Sequence, residues 1–143
     1  MILEAILKQQ IGRTIIKSSA GGSVGNLWKL DLDNDNCFFF HCGWRLLKDN
    51  KIIMTSQDPI DVGGLISKTT PILENEKIVQ IETINGYDIS IMISNQYRID
   101  IFCDIGPGSE EYNSLTNWDL CIPSLDNVLS ISNLLTVVEE KYS

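Results

Sequence analysis

The sequence predicts an α+β domain, mostly antiparallel β, with an N-terminal helix, a C-terminal helix and two hairpin units that share one apolar pattern. Three observations lead there. Lys77-Ile78-Val79-Gln80-Ile81-Glu82-Thr83-Ile84 alternates with period two and runs into Asn85-Gly86, a dipeptide that tight hairpins favour because both residues tolerate positive φ. Short apolar runs separated by Asn, Asp and Gly recur along the chain, the spacing of antiparallel strands and not of long helices. Lastly, Leu30, Leu32, Asn34, Phe38, Phe40 and Cys42 fall, at an offset of 61, on Ile91, Ile93, Asn95, Ile99, Ile101 and Cys103.

Taken in order, Ile2, Leu3, Ile6 and Leu7 stand at helical spacing, and Gly12 follows where a helix end wants a left-handed residue. Thr14-Ile15-Ile16 reads as a strand, residues 20–23 as a turn and Leu27 to Leu32 as a second strand. Asp33-Asn34-Asp35-Asn36 is a turn of Asx type leading into Cys37-Phe38-Phe39-Phe40-His41-Cys42 and Trp44-Arg45-Leu46. A turn at residues 48–51 precedes Ile52-Ile53-Met54, and a loop follows that enters a short helix near 60–67. Ile89, Ile91 and Ile93 share one strand face, Ser94-Asn95-Gln96 turns, and Tyr97, Ile99 and Ile101 share the next. Trp118-Asp119-Leu120-Cys121-Ile122 is a strand stopped at Pro123. The last segment, 126–142, fits a helix begun by Ser124 or Asp126, although its β-branched content also fits a strand; a helix is expected over 130–141.

Each unit closes in a Trp-x-Leu, Trp44-Arg45-Leu46 and Trp118-Asp119-Leu120, and Ile15 falls on Ile78 at an offset of 63. Duplication of one strand–hairpin–Trp strand unit produces such a pattern. Two unrelated hairpins with alternating apolar residues also align at some offset, and either origin leaves antiparallel pairing.

A chain of 143 residues, 43% of them hydrophobic, has the size and apolar content for one core, so residues 1–143 are expected to form a single domain. Glu4 interrupts the short apolar run at the start, with neither a basic lead-in nor a small-residue cleavage site. No window approaches the ~20 apolar residues of a spanning helix. A cytoplasmic location is expected. There, Cys37, Cys42, Cys103 and Cys121 read as reduced packing residues. The net charge of −8 is uneven: residues 1–57 hold seven Lys and Arg against five Asp and Glu, residues 58–143 four against fourteen. An acidic half repels phosphate backbones and anionic membranes and speeds encounter with a basic protein; it also suits plain solubility.

No catalytic or cofactor pattern emerges, and the expectation is a protein without enzymatic activity or cofactor. Asp31 to Asn36 begins like a calcium loop, but its sixth position is Asn36 where Gly is needed and its twelfth is Cys42 where a bidentate Glu is needed. Zinc would require Cys37, His41, Cys42 and Cys103 to converge, yet neighbours 41 and 42 of a strand point to opposite faces. A Cys–His dyad needs Cys103 or Cys121 to meet the single histidine, His41, across strands. Residues 20–25 are Gly-rich but lack the Lys-Ser/Thr ending of a phosphate loop.

The long segment from Asp104 to Asn117 carries Gly, Pro, three acids and a tyrosine without Lys or Arg, a composition suited to recognising a cationic partner. Residues 43–53, then Lys77-Ile78-Val79-Gln80-Ile81, Gly86-Tyr87-Asp88-Ile89-Ser90-Ile91 and Asn117-Trp118-Asp119-Leu120, resemble small bacterial immunity proteins encoded beside polymorphic or contact-dependent toxins. The similarity spans roughly residues 10–123 and is a pattern match. The resemblance implies neutralisation of a cognate toxin, often a nuclease with a basic active site, by one-to-one binding in the cytoplasm, with no nucleic acid or membrane partner. Charge and loop composition then nominate Asp88, Asp100, Asp104, Glu110, Glu111 and Asp119 as partner-binding residues, with Tyr112 as anchor. The competing expectation is a small-ligand or scaffold module whose sheets enclose a pocket or form a homodimer; the sequence leaves monomer and homodimer equally open.

Overall fold

The computed structural model describes residues 2–21, 27–59, 64–107 and 116–143. Helix α1 (Ile2–Lys8) is followed by β1 (Ile15–Ser19), β2 (Trp28–Leu32), β3 (Cys37–Phe40), β4 (Gly43–Lys48) and β5 (Lys51–Thr55). Then come α2 (Leu65–Thr69), β6 (Ile78–Ile84), β7 (Asp88–Ile93), β8 (Tyr97–Phe102), β9 (Thr116–Ile122), β10 (Asn127–Ser132) and β11 (Val137–Lys141). One sheet runs β1-β2-β3-β9-β10-β11 and the other β5-β4-β8-β7-β6, with antiparallel pairing between strands throughout.

Period-two alternation gives each sheet one apolar face, and the two faces cover each other, the sandwich solution to burying both. From the first sheet Trp28, Leu30, Leu32, Phe38, Phe40, Trp118, Leu120, Leu129 and Ile131 point inward. Trp44, Leu46, Met54, Ile78, Ile89, Ile91, Ile99 and Ile101 meet them from the second. The Trp28 and Trp44 rings, from opposite sheets, cross edge-on at 4.5 Å between centroids. Side chains of this size contribute about 1.5–3 kcal/mol each when fully removed from water, so closing the two faces on each other is strongly favoured. Helix α1 buries Leu3 and Leu7, one turn apart. Gly12, at φ +88°, then turns the chain so that its N–H meets the Ile78 carbonyl at 2.7 Å. Buried Gln10 accepts from the side-chain amides of Asn34 and Asn36, both at 3.1 Å, tying α1 to the β2–β3 turn.

Two expectations need correction or trimming. The C-terminal segment is not a helix: residues 127–141 form the β10–β11 hairpin, and Asp126, at φ +49°, sits left-handed where a helix start was expected. Leu129 and Ile131 alternate inward, and β10 pairs with β9. A helix here would leave the hydrogen-bonding edge of β9 open, whereas the β-branched hairpin closes it. Of the short helix near 60–67, α2 occupies Leu65–Thr69 and runs into a 3₁₀ turn at Thr70–Leu73; residues 60–63 lie outside the described part. Among the described residues no helix is long and apolar enough to cross a membrane.

The chain path has one further regularity. Strands β1-β2-β3 form a meander in one sheet and β6-β7-β8 a meander in the other; after each, the chain changes sheets, β4 adding to β8 and β9 to β3. Both first strands carry a bulge at the same place, Ile15/Lys17 and Ile78/Gln80. Asp33 N–H reaches the Thr14 carbonyl at 3.0 Å as Ser94 N–H reaches that of Lys77 at 2.8 Å, and Thr14 and Lys77 bridge each other.

Candidate functional site: a braced loop base and an exposed leucine tip

The chain leaves β8 after Phe102 and enters β9 at Thr116, and three residues, Asn117, Asp88 and Trp118, hold the two ends of this excursion. Asn117 is fully buried; its Oδ1 accepts from Ile105 N–H at 2.9 Å, and its Nδ2 donates to the carbonyls of Ile105 at 3.2 Å and Ser132 at 3.1 Å. Its own carbonyl accepts from the N–H groups of His41 and Cys42. Asp88 Oδ1 accepts from Cys103 N–H at 2.7 Å, and Trp118 Nε1 donates to the Tyr87 carbonyl at 2.9 Å. A side chain bonded to its backbone neighbours in this way fixes Ile105 and Ser132 relative to β9, because a buried amide with a missing partner is costly.

Against this base stands the tip of the β10–β11 hairpin. Ser132 Oγ lies 2.8 Å from Thr136 Oγ1 and accepts from the N–H groups of Leu134 and Thr136 at 3.2 Å. The turn is thereby stiffened, yet it presents two leucines to water: Leu134 is 66% and Leu135 51% exposed. Leu135 also takes φ +56°, a left-handed conformation that costs a γ-branched residue about 1 kcal/mol. With Ile105, Gly106 and Pro107 the tip encloses an apolar groove of about 290 Å³. Strain and exposed apolar area in one braced turn are features that binding sites retain and folding alone does not favour.

The residues nominated from sequence divide three ways. Asp88 and Asp104 stand at the loop base, but as acceptors of backbone N–H groups, Asp104 Oδ1 from Gly43 at 2.9 Å. Asp119, on the outer face of the first sheet, holds His41 Nε2 at 2.8 Å. Asp100 is 7% exposed on the outer face of the second sheet, where it accepts from Arg45 Nε at 2.9 Å, Arg98 Nε at 3.0 Å and Ser90 Oγ at 2.8 Å. Burial pushes its pKa up, and those three hydrogen bonds, together with the Arg98 charge, outweigh burial and hold the carboxyl below its usual range. Glu110, Glu111 and Tyr112 lie outside the described residues.

The thiol and histidine chemistry weighed from sequence can also be placed. His41 and Cys37 share a face of the β3 line but stand four residues apart, about 13 Å along a strand, with Phe39 between them. Cys42 is buried on the opposite, inner face. His41 therefore orients on Asp119 with no thiol within reach on its own strand. Among the described residues no three His, Cys, Asp or Glu side chains converge as a metal site.

No family model, curated protein or solved structure matches this chain. The site residues that sequence reasoning missed are Asn117, Leu134 and Leu135. The leucines were absorbed into an expected helical stripe; the available signal was their adjacency between Asn133 and Thr136, which breaks the period-two register of Leu129 and Ile131.

Proposed function

We propose that this protein acts by binding another protein, with the β10–β11 tip and the adjoining Asp104–Pro107 stretch as the binding face. The observation that carries the reading is the braced Leu134–Leu135 tip, whose exposed apolar side chains and left-handed Leu135 have no evident use within the fold. Rigid apolar anchors bind at low entropic cost, and an acidic net charge favours a cationic partner and a fast encounter. Within that class the partner is a cognate toxin domain, basic in charge, and the protein its cytoplasmic immunity factor; the sequence resemblance and the net charge of −8 support this. Two repeated sheet units form the scaffold. The matching bulges of β1 and β6 and the matching Asp33–Thr14 and Ser94–Lys77 hydrogen bonds support duplication of one ancestral unit.

The test is binding to the toxin domain encoded beside the gene, by calorimetry and by rescue of growth on co-expression. A one-to-one complex is expected, weakened at least about tenfold by Leu134→Ser and forming more slowly as salt rises. Absence of binding, or binding indifferent to both leucines, overturns the assignment of this face; salt-insensitive association overturns the charge argument.

A further inference from the structure

All four cysteines are free and fall into two cross-strand pairs, a relation that the sequence spacing conceals. In the β3–β9 ladder Cys37 is the register partner of Cys121. The same ladder bonds His41 N–H to the Asn117 carbonyl, and stepping back by twos makes Cys37 and Cys121 a hydrogen-bonded pair, with Cα atoms about 5.5 Å apart. That separation lies inside the ~4.4–6.8 Å over which disulfides close. Both side chains are on the outer face of the first sheet, Cys37 half-buried and Cys121 mostly covered. The second pair follows from the β4–β8 register: Gly43 faces Phe102, so Cys42 faces Cys103 one step on, pointing into the core.

We propose that Cys37 and Cys121 are a redox-active dithiol, converted by small-molecule disulfides to a reversible bridge between β3 and β9. The Cys37 thiolate attacks the small disulfide, forming a mixed disulfide and releasing one thiol that carries off the Cys37 proton. Cys121 then loses its proton and attacks the Cys37 sulfur, displacing the second thiol. The protein gives up two protons and two electrons, and one disulfide becomes two thiols.

The surroundings assign the two roles. The Cys121 thiol beside it pulls the Cys37 pKa below the ordinary value, against burial; Lys29 adds to the lowering, while Asp31 and Asp119 oppose it. Cys121 is pushed the other way by the hydrogen bond to Cys37 and by burial, which suits a resolving thiol that stays protonated until the mixed disulfide forms. The groups facing the pair are Lys29 and Asp31 on β2, themselves 3.5 Å apart, Asp119 on β9, and Val128 on β10, which pairs with Glu140. Hydrogen-bonded pairs hold Cβ atoms farther apart than a relaxed disulfide prefers, so the bridge is readily reduced. In a reducing compartment such a couple is a sensor and not a staple. Cys42 and Cys103 provide an internal comparison: Cys42 is 2% exposed, its thiol is pushed up by the hydrogen bond to Cys103 and by burial, and Cys103 Sγ already donates to the Tyr87 carbonyl.

The experiment equilibrates the full chain with mixtures of reduced and oxidised glutathione, quenches with acid, alkylates the remaining thiols after unfolding, and maps the peptides by mass spectrometry. Expected is a species short of two hydrogens in which the Cys37 and Cys121 peptides are joined, Cys42 and Cys103 are alkylated, and dithiothreitol restores the starting mass. Cys121→Ser should stop at a mixed disulfide carrying one glutathione on Cys37, and Cys37→Ser should oxidise at least about tenfold more slowly. The proposal is overturned if the wild-type chain stops at glutathionylated Cys37, if Cys42 and Cys103 join as readily, or if both thiols of the pair stay alkylatable throughout. The wild-type mapping decides the matter even where a variant fails to fold.

Discussion

Asn117→Ala tests whether the loop base is held as the geometry implies. The substitution removes the hydrogen bonds to Ile105 N–H, the Ile105 carbonyl and the Ser132 carbonyl, all made by one fully buried side chain. At ~1 kcal/mol net per bond the loss is about 3 kcal/mol. It would be larger if the stranded groups stayed dry, but Ile105 is only partly buried and water can reach it, so about 2–4 kcal/mol brackets the outcome. Urea unfolding followed by tryptophan fluorescence should show a lower midpoint with an unchanged slope, because the surface exposed on unfolding is the same. Native-state hydrogen exchange supplies a local readout: the Ile105 amide should lose protection, while amides in the β6–β7 ladder change only by the global amount. A loss of stability under about 1 kcal/mol together with unchanged protection at Ile105 would refute the claim that this amide fixes the loop.

Three further outcomes follow. Asp100→Asn should cost about 2 kcal/mol, discounted for the partial exposure of Arg45 and Arg98, since two guanidiniums are left without their counter-charge. The Asp100 carboxyl titrates lower in the folded than in the unfolded chain. Its stabilising contribution is therefore complete above the unfolded value of about 4 and lost as pH falls below it; the Asn variant should lack that part of the acid dependence in unfolding titrations from pH 7 to 2.5. Ser18→Ala leaves the buried Trp28 indole N–H without its 2.8 Å acceptor and should lower stability by about 1–3 kcal/mol in denaturant melts, whereas Trp28→Phe in the Ser18→Ala background should show non-additivity in a double-mutant cycle. Leu135→Gly relieves the left-handed strain and should stabilise the fold by up to about 1 kcal/mol while weakening partner binding; a variant that binds as well as wild type would remove Leu135 from the interface.

The strands were legible because alternation is a local signal: Ile89, Ile91 and Ile93, or Phe38 and Phe40, declare an apolar face whatever the rest of the chain does. Asn85-Gly86 and Gly12 were legible for the same reason, as backbone positions that need positive φ. Residues 126–142 were not, because Leu134 and Leu135 complete a helical stripe on paper, and only the open edge of β9 makes a hairpin the better use of the segment. Asp119 looked like a free charge for an equally non-local reason: its partner His41 is 78 residues away. Asp100 has Arg98 only two residues away, but its second guanidinium, Arg45, lies 55 residues away.

Composition and alternation by themselves determined that this chain builds antiparallel sheets with one apolar face each, around Trp28, Trp44 and Trp118, and that its second half is acidic. Tertiary structure alone decided that β4 and β9 trade sheets. That exchange sets Cys37 opposite Cys121 and Cys42 opposite Cys103, and it brings Asn117 against both Ile105 and Ser132 at the foot of the leucine tip. The division is physical: burial patterns are written residue by residue along a strand, whereas pairing across strands depends on which edges remain open once the two faces have closed on each other.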